Sequence, residues 1–203
     1  MKTSFRRISK SSKATKCEGF TLIEVMIAAV IMVVGLLALM ALFAKALSAV
    51  QFAQDDQIAK QKSRETLESI YAARNDGMIT FNDIQNVPNG IFKSGFNPMY
   101  LPGGNGIPGT TSDTNILDRV ILPGKDGIVQ TPPNSPAPAG DDVLVPLSNF
   151  RRQIDIAPVT DQNNNANPFL AKITVTIRVN SGSMYQRDYQ TTGYVAATQS
   201  TTP

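Results

Sequence analysis

From Phe20 to Ala44 the chain reads FTLIEVMIAAVIMVVGLLALMALFA, and from Val25 onward it carries no charge for 20 residues. As a helix, 20 apolar residues cover about 30 Å, the thickness of a bilayer's hydrocarbon core. One transmembrane helix is therefore expected. Six basic side chains (Lys2, Arg6, Arg7, Lys10, Lys13 and Lys16) against one acid, Glu18, precede it in the first 19 residues. By the positive-inside rule that end stays in the cytoplasm and the C-terminal remainder lies across the inner membrane.

The charge asymmetry bounds function as well as orientation. Of 19 basic and 16 acidic residues, 13 and 15 lie beyond Gly19, so the remainder is mildly acidic at about −2. The basic isoelectric point belongs to the leader and gives non-specific nucleic-acid binding little electrostatic support. The single cysteine, Cys17, lies in the leader too, and the chain has no histidine. Triads, metal sites and general bases built on histidine are excluded, no nucleophile and base pair is visible, and no cofactor or enzymatic role is expected.

Beyond the apolar run the helix is expected to continue. There is no proline before Pro88, and residues 45–74 are rich in Ala, Gln, Lys, Glu and Leu. Asn75, Asp76 and Gly77 supply a stop. A helix from Phe20 to Arg74 would be roughly 80 Å long. Leu67, Ile70, Tyr71 and Arg74 form its clearest docking stripe.

Residues 77–146 hold ten of the 14 glycines and ten of the 13 prolines, which predicts turns and loops interrupted by one short strand, Leu117 to Leu122. Then the period changes to two. In AKITVTIRV, Ala171, Ile173, Val175, Ile177 and Val179 alternate with polar residues, the pattern of a strand with one buried face. Asn180 to Ser183 would turn into a strand from Met184 to Ala196, and Phe150 to Ile156 supplies a third. The expected class is α+β: a long N-terminal helix, half transmembrane and half amphipathic, packed on a small antiparallel sheet.

Glu24 is the physical oddity. A carboxylate near a helix centre in lipid costs about 2.5–3.5 kcal/mol on insertion scales, and only somewhat less near the interface. The surrounding text, a glycine, an aromatic residue and a Thr-Leu-Ile-Glu run opening an apolar helix, resembles the type IV prepilin signature over about residues 13–45. That resemblance implies a pilin fold and cleavage after Gly19 by a membrane-embedded prepilin peptidase, which also methylates the new N-terminal Phe20. It further implies that Glu24 sets register during assembly, pairing with the α-amino group of a neighbouring subunit. The residue types fit, since Gly19 without a Cβ lets a protease approach the backbone closely.

The chain then divides into a leader (1–19), a helix (20–75, with its transmembrane part at 20–44), a Gly/Pro-rich region (76–149) and a sheet (150–203). IMVVGLLALM, FRRQIDI and AKITVTIRV are similar to minor pilins of the PilV type and, nearly as well, to minor pseudopilins of type II secretion. Many major pilins carry a proline midway down the membrane helix and a C-terminal disulfide loop, and both are missing from this sequence. The implied partners are the peptidase, other pilins or pseudopilins through the N-terminal helix, and an inner-membrane assembly platform. A pilus-tip binding module using the Gly/Pro-rich region is an alternative of another class. Two plainer readings remain: a secretory signal peptide cut at Ala44-Lys45-Ala46, and a single-pass anchor without a filament role.

Four other clusters bear on function. Asp161 to Asn167 sets oxygen-bearing side chains at alternate positions, as a calcium loop does, but lacks that loop's glycine and has Lys172 where the closing glutamate belongs. Strand alternation sends one of Arg151 and Arg152 to solvent and the other toward the core face with a snorkelling stem. Gly103-Gly104-Asn105-Gly106 reads as a flexible turn, and Asp141-Asp142 as a solvated pair.

Overall fold

A computed structural model describes residues 19–132, 135, 137–181 and 185–197. Residues 1–18 of the leader and residues 182–184 of the hairpin connection lie outside that set. The chain forms two compact units, Met1–Val50 and Gln51–Pro203. One helix, α1 (Leu22–Asn75), contributes to both.

In the first unit every residue of α1 is exposed to its surroundings, as an apolar segment must be when no partner or lipid covers it. The helix begins at Leu22 rather than Phe20 because Thr21 caps it: its hydroxyl accepts the Glu24 N–H at 3.3 Å, and its carbonyl accepts those of Glu24 and Val25. Phe20 is thereby left just outside the helix.

The second unit is built on a four-stranded antiparallel sheet. Its strands are β1 (Asn97–Pro98), β4 (Phe150–Thr160), β5 (Ala166–Ser181) and β6 (Tyr185–Ala196), in the order β1-β4-β5-β6. The alternating strand read from the sequence is β5, longer at both ends than the pattern suggested. A separate antiparallel pair joins β2 (Arg119–Leu122) to β3 (Val143–Pro146).

The helix residues from Gln51 on bury Ala59, Ser63, Thr66, Leu67, Ile70 and Ala73, a stripe at helical spacing that faces Ile173, Val175 and Ile177 in one core. Tyr71 packs at its margin, while Arg74 sits over the Phe81 ring. Small residues set the approach distance. A Cβ on Gly193 of β6 would overlap Tyr71 Oη and stand 2.9 Å from both Leu67 methyl carbons, closer than side-chain atoms tolerate without shifting.

The Gly/Pro-rich region does more than loop over the surface. Ile79, Ile84, Phe92, Met99, Leu101, Ile107 and Leu147 are buried, and all but Leu101 belong to the same core as the helix stripe and β5. With one cysteine in the whole chain, packing of this kind and polar contacts hold the unit without an intrachain disulfide.

Two substitutions test this packing. Ile177→Ala should cost about 2–5 kcal/mol through transfer and cavity terms, and Gly193→Val about 1–3 kcal/mol by forcing the helix off the sheet. Urea unfolding of the detergent-solubilised chain measures both.

Candidate functional site

Gly19 and Phe20 lie ahead of the helix, and Phe20 is 83% exposed. A Cβ on Gly19 would meet nothing within 4 Å, so the fold places no steric demand for glycine there. Glu24 stands in the first helical turn, where an acid complements the positive end of the helix dipole. Thr21 completes the set as N-cap. Its signal, Thr-x-x-Glu before an apolar run, is the sequence form of a capping box, and it makes Thr21 a site residue beyond Gly19, Phe20 and Glu24.

The other candidates separate cleanly. Asp161 spends its carboxylate on its own loop, accepting the N–H groups of Asn163 and Asn165 at 2.8 Å and the Asn165 side-chain amide at 3.2 Å. Those Asn165 and Asn163 contacts hold it below the usual carboxylate range. Among the described residues no group of three or more acidic, His or Cys side chains is placed to hold a metal ion. Asp141 and Asp142 similarly bind backbone: Asp141 accepts from Lys125 N, and Asp142 from Gln130 N and Thr131 N. Asp142 is buried rather than solvated.

Arg152 departs most from expectation. Alternation does turn it to the core face, but its head is buried with its stem, at 3% exposure. Its guanidinium lies 3.9 Å from Asp113 and donates at longer-than-usual hydrogen-bond distances to the Tyr100 carbonyl (3.4 Å) and Thr66 Oγ1 (3.5 Å). Asp113 also accepts from the Gly109 and Thr110 N–H groups and stands 3.7 Å from Lys93. Burial pushes Asp113 up and Arg152 down from their ordinary values, each against the pull of the other's charge. Lys62 on the helix holds Asp118 at 3.0 Å and Glu65 at 3.1 Å. This polar seam joins helix, β4 and the Gly/Pro-rich region, and its geometry is that of a structural tie. Arg152 had no sequence signal beyond strand parity, because its partner lies 39 positions away in a loop.

Comparison with known proteins bears on the N-terminal segment. Residues 15–40 match the family model of the prokaryotic N-terminal methylation motif, the type IV pilin signal. No curated protein and no solved structure matches the chain. The motif supports a type IV pilin-like substrate of a prepilin peptidase, and α1, the described helix long and apolar enough to cross a membrane, supports membrane anchoring.

Two outcomes follow. Asp113→Asn strands the Arg152 charge and should cost about 3–5 kcal/mol, whereas adding Arg152→Met should recover part of that loss; unfolding of the two variants and wild type reads the coupling. In acid, the stabilisation from Asp161 should be present above about pH 4 and vanish as pH falls through its lowered folded value. An Asp161→Asn variant should show a shallower loss of stability over that range, measured by thermal unfolding against pH.

Proposed function

We propose that the chain is a minor type IV pilin-like structural subunit: cut after Gly19 by prepilin peptidase, methylated on Phe20, and built into or priming a pilus through its N-terminal helix. The observation that carries this is Glu24, a lone acid in the first turn of a helix that is otherwise charge-free through Ala44 and exposed along its whole apolar length. An anchor that stays in lipid has no use for that carboxylate. Cleavage makes one, because it creates a cationic amine at Phe20 that can neutralise Glu24 of a neighbouring subunit.

Gly19 supports the same reading. The protein's own packing does not require glycine there, so the requirement comes from outside the fold, from the enzyme that must reach this peptide bond. Before assembly the chain spans the inner membrane once with its sheet domain in the periplasm. Assembly then exchanges lipid contacts of the apolar helix for contacts with other subunits, through an inner-membrane platform, and this chain performs no bond chemistry itself. A minor pseudopilin of type II secretion uses the same N-terminal chemistry, and a secretion assay on a deletion strain separates the two.

The N-terminal residue and intact mass of membrane-extracted protein are the direct test. A start at Phe20 carrying one added methyl group is expected, and a start at Leu47 would overturn the proposal. Gly19→Val should block processing. Glu24→Gln should leave processing intact but reduce incorporation into sheared filaments by about tenfold or more, the effect of losing one ion pair in lipid.

A further inference from the structure

The two edges of the four-stranded sheet are treated differently. In the β4–β5 ladder Asn180 N–H donates to Asn149 O, which places the odd-numbered residues of β4 in bonds with β5 and turns the N–H and C=O groups of Phe150, Arg152, Ile154, Ile156 and Pro158 outward. Most of those groups are covered. Phe150 N–H donates to Leu147 O, Arg152 pairs with Asn97 of β1, and the Asn86 side chain donates to Ile154 O at 2.7 Å while accepting from Ile156 N at 3.0 Å. Pro158 has no N–H, and the ladder bulges between it and Val159.

At the other edge, Ala197 N–H donates to Phe169 O, so the register turns the backbone groups of Gln186, Asp188, Gln190, Thr192 and Tyr194 away from β5. Tyr71 Oη reaches the Tyr194 carbonyl at 3.4 Å. From Gln186 to Thr192 the outward groups have no hydrogen-bond partner among the described residues. Two of the usual protections are missing as well: β6 holds no proline, and no register shift interrupts its pairing with β5, while its charges, Arg187 and Asp188, are both paired within the protein.

We propose that the β6 edge from Gln186 to Thr192 is a docking site for an extended, uncharged peptide segment of another protein, added as a fifth antiparallel strand. Four open rungs cover about 20 Å, which suits a peptide of about seven to nine residues. Charge selects the peptide's character. Asp188 is the one acid on these rungs, and Arg178 already engages it through two bonds of 2.8 Å while stacking 3.6 Å from the Phe96 ring. Gln186, Gln190 and Thr192 are neutral and exposed, so they match amide, hydroxyl or aromatic side chains across the new ladder. Pairing with β6 of a second copy would be isologous and close at two, whereas subunits in a helical filament meet head to tail. That exclusion rests on the filament reading; the open edge does not.

Random nine-residue peptides selected on the full chain in detergent micelles test the site. Proline at Gln190 or Thr192 removes an outward N–H and leaves the β5 ladder intact. Gln190→Pro or Thr192→Pro should therefore lower the affinity of selected peptides by about tenfold or more, as should N-methylation of alternate peptide residues, which involves no change to the protein. Bound peptide should also slow amide exchange at Asp188, Gln190 and Thr192 about tenfold or more. Selection that yields no peptide preferring wild type over the proline variants, or peptides indifferent to N-methylation, overturns the proposal. So does a wild-type dimer abolished by proline, which would make a second copy the occupant, whether or not filament incorporation of Glu24→Gln behaves as expected.

Discussion

The unit from Gln51 onward depends on one contact, the stripe of Ala59, Ser63, Thr66, Leu67, Ile70 and Ala73 against the inner face of β5 and β6. Four of those six residues are small or hydroxylated, so the helix packs on the sheet without a large volume of side chains between. Closeness is what brings Gly193 under Leu67 and Tyr71 and lets Ser63 Oγ meet Thr191 Oγ1 at 2.8 Å. The rest of α1, up to Val50, has no such stripe and no buried residue. A single helical period therefore serves two environments, and the sequence changes character from uniformly apolar to one-sided where the demand changes.

Polar contacts then fix what the apolar stripe cannot. Arg187 of β6 bonds Asp56 and stacks 4.9 Å from Phe52, and Tyr189 bonds the same carboxylate, so the helix cannot slide along the sheet without breaking oriented contacts. The Arg152–Asp113 seam does the same for the Gly/Pro-rich region, whose glycines at 95, 106 and 109 adopt positive φ and could not hold a fixed path by backbone preference alone. Burying Arg152 and Asp113 is costly, so their pairing is weak evidence for net stability.

How much of this was legible depended on whether the information was local. The apolar run, the change to period two in β5 and the stop at Asn75 are patterns within one element, and they read directly. The same holds for the Gly-Phe-Thr-Leu-Ile-Glu junction, which lies within the segment that matches the N-terminal methylation motif. Thr21 is equally local, since Thr-x-x-Glu ahead of an apolar run marks a helix cap without any tertiary information. By contrast, β1 is two residues long and β3 exists only through pairing with β2, so neither has a period to detect. Phe92, Met99 and Ile107 sit in a loop-like composition, and their burial follows from tertiary contacts that no window of sequence contains. Arg152 is the same case in charge.

Asn86 shows how little is needed to finish a sheet. One carboxamide, offering a donor and an acceptor at the right separation, stands in for a whole strand beside Ile154 and Ile156. A sheet sealed this way on one flank can lengthen only on the other. A strand added there would extend it in one direction, and a newcomer with a blunted far side would end the extension after a single addition, fixing a stoichiometry of one.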